Sequence, residues 1–274
     1  MTTFTLLRSA FLAVALYGTF SPVALAQFDR QHKAWAALLK KHVVLVDGSK
    51  ASQVRYAEMA KDRAALRSYL ESLSKVEEAE FRKWSKDDQL AFLINAYNAN
   101  MVELILTRYP KIDSVWDFGK IVSNPFKNRF IKLFARDVSL DVIEHETIRA
   151  KGVYDDPRIH MAVNCASVGC PMLREEAYIG DRLDRQLEEQ VVRSLSDRSR
   201  NRFNAATGAL EVSEIFRWYR EDFESGYKGI RSREQFLAKY APQLADAAGE
   251  QAVRGQKAAI RHVEYDWRLN DVRK

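Results

Sequence analysis

The chain has 274 residues, 47% apolar and 29% charged, so it can bury a substantial core without a metal or a disulfide merely to make it fold. Its formal net charge is +6, but Lys and Arg are interleaved with Asp and Glu, as in RKWSKDD and RLDRQLEEQ. That mixed surface argues against nucleic acid as a partner and leaves open only a weak preference for anionic envelope surfaces.

Residues 1–26, MTTFTLLRSAFLAVALYGTFSPVALA, carry Arg8 as their only charge, then an apolar run from Ala10 to Phe20 and a small-residue end at Ala24-Leu25-Ala26. This is the layout of a cleavable secretory signal, with the mature chain expected to start at Gln27 and an uncleaved anchor as the alternative. No cysteine stands at the expected cleavage point, which argues against lipoprotein attachment, and no later apolar stretch approaches the roughly 20 residues of a membrane-spanning helix. The expected location is therefore periplasmic or secreted, where disulfides are permitted.

Phe28 to His42 predicts a helix through Trp35, Leu38 and Leu39, and VVLVDGSKASQV a short strand and turn. Ala60 to Leu73 predicts a helix with Leu66, Tyr69, Leu70 and Leu73 on one stripe. Trp84 to Arg108 is apolar nearly all round, so it predicts a buried central helix, capped by Ser85 and stopped by Pro110. Asn95 and Asn98 share one face of it. A buried amide left without a partner costs about 1–3 kcal/mol, so these two either satisfy loop backbone groups or line a polar cleft.

Phe118 to Phe134 reads as loop, with a turn at Ser123-Asn124-Pro125. SLDVIEHETIR, residues 139–149, predicts a helix start with Asp141 and Glu144 as a capping box. His145 then sits in its first turns between Glu144 and Glu146, either merely solvated or a base held in one tautomer by a carboxylate. RIHMAVN, residues 158–164, predicts a strand with His160 and Asn164 on one face. Cys165 follows its end, Ala166, Ser167 and Gly169 make a loop, and Cys170-Pro171 fits a helix start. Leu183, Leu187, Val191 and Leu195 predict an amphipathic helix. ALEV predicts a short strand, SEIFRWYREDF a helix capped by Ser213, residues 251–256 a loop, and IRHVEYDWRLND a last strand.

Both cysteines of the chain lie in HMAVNCASVGCP, residues 160–171. A free, activated Cys165 needs a histidine, a helix N-terminus or both, because an ordinary thiol is mostly protonated at neutral pH. Across an extended strand the five residues from His160 to Cys165 span about 16 Å, so contact requires the loop to fold back, or His145 to serve as base. A Cys165–Cys170 disulfide is the competing reading, its loop-closure contribution only about 2 kcal/mol. A metal site is disfavoured because the spacings do not match paired zinc ligands, and CASVGC lacks the spacing of thiol–disulfide exchange motifs.

LINAYNANMVELIL, SLDVIEHETIR, DPRIHMAVNCASVGCP with Tyr178 behind it, and SEIFRWYREDF resemble, in order, the motifs of the DUF547 family, and the terminal YDWRLN is similar to an ending of its bacterial members. The likeness covers about residues 86–224 plus that tail. The family's name states that its function is unknown. The resemblance implies that Asn95, Asn98, His145, His160, Cys165 and Cys170-Pro171 occupy motif positions. In plant relatives, which carry a leucine-zipper segment absent here, the second cysteine position is commonly serine and the first stays cysteine, which would make Cys165 matter independently of any bridge. Gly169 stands where Ser is usual and Met161 where Phe is usual; neither change removes a titratable group.

The expected fold is a helix-rich single α+β domain with a small sheet, open to a papain- or transglutaminase-like arrangement. Residues 27–84 form a helical extension, and residues 85–274 the main domain with a C-terminal strand. The expected chemistry is a cysteine-dependent hydrolase or acyl transferase. Cys165 is the nucleophile, His160 or His145 the base, and Glu144 the carboxylate beside it. Asn164 or amides near Ser167 hold an oxyanion, and Asn95 and Asn98 shape the cleft. No cofactor is expected, and the partner is an unidentified peptide or small molecule. A non-enzymatic envelope binding protein with a Cys165–Cys170 staple is the alternative.

Overall fold

A computed structural model of the chain describes residues 27–119 and 124–272; the expected leader at residues 1–26 lies outside them. After α1 (Lys33–His42) comes a hairpin of β1 (Val43–Val46) and β2 (Ala51–Val54), then α2 (Tyr56–Lys61), α3 (Arg63–Ser74) and α4 (Glu78–Phe81). The central α5 (Lys86–Leu106) is buried from Gln89 through Val102, as its all-round apolar sequence requires. Ser85 caps it by accepting the Asp88 N–H at 3.1 Å. α3 packs along α5, and Trp35 of α1 stacks on Tyr69 of α3 at 5.9 Å.

His32, at the foot of α1, is buried with Nδ1 2.7 Å from the Tyr69 hydroxyl, and burial brings its pKa down to about 4. The unfolded chain therefore takes a proton near pH 6.5 that the folded chain refuses until about pH 4, so stability falls as pH falls through that window. In urea titrations at pH 7 and 4.5, the loss on acidification should be smaller in His32→Gln than in the parent by about 2–3 kcal/mol. Equal losses would contradict a neutral buried ring.

Beyond α5, β3 (Ile131–Leu133) and β4 (Arg136–Val138) make a hairpin that begins inside the segment expected to be loop. The next helix is a π-helix at Val142–Ile148. Its start is capped by Ser139, whose Oγ accepts the Val142 N–H at 3.2 Å, and not by the expected Asp141 box. Residues 158–164 are not a strand: Pro157–Met161 form a 3-10 helix. The physical reason is local, since Pro157 presets the first turn and the Asp156 carboxylate accepts the Arg158 N–H at 3.0 Å. No helix starts at Pro171 either. The carbonyls of Pro171, Met172 and Leu173 accept instead from Asn164, Gln190 and Ser52.

α6 (Leu183–Ser196) buries the predicted Leu183, Leu187, Val191 and Leu195 stripe. The sheet that follows has order β5 (Arg202–Asn204), β6 (Ala209–Ser213), β7 (Ala259–Val263), antiparallel then parallel. Between β6 and β7 lie α7 (Ile215–Trp218), α8 (Arg220–Phe223), α9 (Arg233–Lys239), α10 (Ala241–Leu244) and α11 (Ala247–Arg254). The single helix expected from Ser213 breaks at Tyr219. The loop expected at residues 251–256 lies largely in α11, where Asp246 caps the start. A Cβ at Gly249 would stand 2.6 Å from the Phe203 ring, so glycine lets α11 lie against β5.

The fold is thus helix-rich α+β with small sheets. One apolar cluster surrounds α5 and a second lies between β6 and α7–α10; Ile159, Ala162 and Val163 belong to the first and Met161 to the second. The cysteine segment therefore runs along the seam of the two. Among the described residues no helix is long and apolar enough to cross a membrane.

Candidate functional site

Of the two roles open to Asn95 and Asn98, the structure shows the backbone one, and Asn164, expected at an oxyanion, is likewise bonded to backbone. Asn98 Nδ2 donates to the Ala162 carbonyl at 2.9 Å and its Oδ1 accepts the Asn164 N–H at 2.8 Å, tying the seam segment to α5. Asn95 does the same for Tyr178, donating to its carbonyl at 2.7 Å and accepting its N–H at 3.1 Å. Asn164 closes the cysteine loop on itself, accepting the Ala166 N–H at 3.0 Å and donating to the Pro171 carbonyl at 2.8 Å. All three side chains are buried and lie outside the cleft described below.

The loop so pinned is tight. Ala166 has φ +61°, a left-handed conformation that costs a non-glycine residue about 1 kcal/mol and persists only where the surroundings enforce it. Here the C-terminal segment enforces it: Asn270 N–H donates to the Ala166 carbonyl at 3.0 Å, Val168 N–H to Arg268 at 2.8 Å and Gly169 N–H to Asp266 at 2.8 Å. A Cβ at Gly169 would meet the Asp266 nitrogen at 2.8 Å and the Tyr265 ring at 3.0 Å. Glycine at this position lets the tail approach closely enough to deliver Tyr265 to the thiol.

Cys165 Sγ lies 2.9 Å from Ser167 Oγ and 3.1 Å from the Tyr265 hydroxyl. Its own N–H donates to Cys170 Sγ at 3.1 Å, and both cysteines are free thiols, so the bridge considered from sequence is not formed. Burial opposes the thiolate, but hydrogen bonds from Cys170, Ser167 and Tyr265 outweigh it and pull Cys165 down to about 7. Burial and its charged neighbour push Cys170 the other way, and burial pushes Tyr265 up, so both stay protonated donors. Ser167, expected near helix amides, works through its hydroxyl because no helix forms there.

His160 is buried at the seam. Its Nε2 lies 2.7 Å from Asp222 Oδ2, its ring stacks on Tyr219 at 3.9 Å, and its Nδ1 has no partner. Burial lowers its pKa and outweighs the hydrogen bond to Asp222, so the ring is neutral at pH 7. With Nε2–H donated to the carboxylate, Nδ1 is left as a bare acceptor. Burial disfavours the Asp222 anion, yet hydrogen bonds from His160 and Arg149 hold its carboxyl well below the usual range. Arg149 bonds Asp222 through Nε at 2.5 Å, reaches His145 Nδ1 through Nη1 at 2.6 Å, and lies 4.8 Å over the Tyr219 ring. His145 thus leans on Arg149 and on Asp141 at 3.7 Å, and its expected carboxylate partner Glu144 is hydrogen-bonded by Tyr219.

Cys165, Cys170, His160, His145 and Glu144 line one cleft of about 260 Å³. Aromatic rings form much of the rest of its wall, with Trp116, Trp218, Tyr265 and Trp267 in contact along it at centroid distances of 4.5–5.8 Å. The sequence reading did not identify Asp222, Arg149, Tyr219 or Tyr265. Asp222 is one acid among Glu221 and Glu224, and 62 positions separate it from His160. Tyr265 carried a weak signal, since it begins the YDWRLN ending. Among the described residues no three His, Cys, Asp or Glu side chains gather as they would to hold a metal ion.

Residues 81–193 match the family model described as "Protein of unknown function, DUF547", which supports the resemblance read from the motifs. No curated protein and no solved structure matches the chain. The matched stretch contains Cys165, His160 and the scaffold asparagines, whereas Asp222 and Tyr265 lie beyond it.

Proposed function

We propose that this protein is a cysteine-dependent acyl transferase or hydrolase, with Cys165 as nucleophile and His160 as the base and acid that moves its proton. One observation carries the reading: a thiol drawn to about 7 by its hydrogen-bond donors and a neutral histidine fixed by a carboxylate line the same cleft, although the buried Nδ1 of that histidine makes no hydrogen bond to the sulfur. Asp222 and, behind it, Arg149 are positioning residues that fix the His160 tautomer.

As the Cys165 sulfur bonds to an acyl carbon, its proton passes to His160 Nδ1, a step that requires the thiol and the ring to close up, since no hydrogen bond joins them here. The same proton goes to the departing amine or alkoxide as the acyl carbon–heteroatom bond breaks, leaving a thioester. Water or a second amine then takes the acyl group, and its proton returns to sulfur. Tyr265, held protonated beside the sulfur, is the donor best placed for an oxyanion, because the Cys165 N–H is already given to Cys170. The signal-like layout of residues 1–26 supports placing this chemistry in the periplasm or the medium.

Iodoacetamide labelling followed by mass spectrometry tests the first step. The Cys165 rate should rise with pH and be half-maximal near 7. At pH 6.5 roughly a quarter of such a thiol is ionised against about 1% of an ordinary one, and the weaker nucleophilicity of a lower-pKa sulfur reduces that to about a fivefold rate advantage. A midpoint near the ordinary 8.5 would end the nucleophile assignment. Finding Cys165 quantitatively bridged to Cys170 in protein recovered without reductant would favour a non-enzymatic ligand-binding role.

A further inference from the structure

Glu144 sits on the π-helix with 6% of its surface exposed, and it lines the same cleft as Cys165. A carboxylate buried to that degree is normally paired with a cation, since an uncompensated buried charge costs several kcal/mol. Among the described residues no Lys, Arg or His comes within ion-pair distance of Glu144. The nearby Arg149 is engaged by Asp222 and His145 and is not part of the cleft wall. The hydrogen bond that Glu144 does accept comes from the Tyr219 hydroxyl, a neutral donor, while its charge acts on His160 and Arg149 only from beyond contact distance.

The rest of the wall has the same character. Among the described residues its lining contains Asp141 and Glu144 but no lysine or arginine. The same lining includes Trp116, Trp218 and Trp267, with Trp218 42% exposed although it packs on Trp267 at 5.8 Å. Aromatic faces attract cations through their quadrupole, and carboxylates attract them directly, whereas an anionic ligand would meet two like charges.

We propose that the cleft binds a primary ammonium group borne on an apolar chain, with the charge against Glu144 and the chain along the tryptophan wall. The inference rests on the cysteine reading and names the substrate class for it: an acyl donor or acceptor that carries a cationic amine near the carbon presented to Cys165. Glu144 is therefore an ammonium ligand here, and not the carboxylate that orients His145.

Titrations on the full chain carrying Cys165→Ser, followed by tryptophan fluorescence and calorimetry at pH 7, separate binding from chemistry. The probes are n-pentylammonium, 1-pentanol and pentanoate, which share a chain and differ in charge. Pentylammonium should bind saturably and at least tenfold more tightly than pentanol, pentanoate should not bind, and Glu144→Gln should weaken pentylammonium at least tenfold. Equal affinities for ammonium and alcohol, or an unchanged affinity in a folded Glu144→Gln, would overturn the proposal. Should Glu144→Gln fail to fold, the comparison of the three probes decides alone. An ordinary Cys165 labelling midpoint together with selective ammonium binding removes the enzyme and keeps the site; an activated Cys165 without selectivity removes only the ammonium.

Discussion

Asp222→Asn should lower the rate at which Cys165 is acylated by a chromogenic acyl anilide by about 10²–10⁴-fold, while moving the iodoacetamide midpoint by little. The two readouts divide because they draw on different groups. The Cys165 thiolate is stabilised by Cys170, Ser167 and Tyr265, none of which touches Asp222. Expulsion of an amine needs a proton delivered from a histidine in the correct tautomer. An amide at position 222 keeps the shape and can present its NH₂ to Nε2, which would move the ring proton to Nδ1 and remove the acceptor. The pH dependences should also oppose one another. The acylating form holds one proton between Cys165 and His160, so anilide acylation falls as pH rises above about 7, where alkylation is still climbing. A variant that loses both activities together, or neither, would show that Asp222 only holds α8 in place.

Asn98→Ala should cost the fold about 2–4 kcal/mol, read as a lower urea midpoint at unchanged slope. The side chain is almost fully buried and serves two backbone groups at once, the Ala162 carbonyl and the Asn164 N–H. Truncation leaves both without a partner in an apolar interior, and each orphan costs about 1–3 kcal/mol. The same pair of bonds fixes the chain just ahead of Cys165, so the folded fraction should also show a Cys165 labelling midpoint displaced upward from 7. A stability loss below about 0.5 kcal/mol would mean that the seam segment is held by packing alone.

Much of the scaffold was legible in the chain. The α5 core helix, its Ser85 cap and the α6 stripe follow from apolar spacing and capping, which are short-range properties. The same local reasoning failed at residues 158–164, where β-branched residues outweighed the Asp156–Pro157 turn signal that in fact closes a 3-10 helix. It failed again at residues 251–256, because the use of Gly249 against Phe203 is visible only once β5 is in place.

The sequence by itself determined the central helix, the α+β class and the gathering of Cys165, His160 and Cys170 within one stretch, since these depend on residues near one another in the chain. Only the tertiary structure decided what the groups do. It set Asp222 on His160 across 62 positions and Tyr265 on Cys165 across 100, and of the two roles open to Asn95 and Asn98 it chose the backbone clamp. It also left Glu144 buried, with the neutral Tyr219 hydroxyl as its hydrogen-bond partner. The reason is electrostatic: the charge state of a thiol, an imidazole or a carboxylate depends on which distant groups share its low-dielectric surroundings, and no local pattern encodes that.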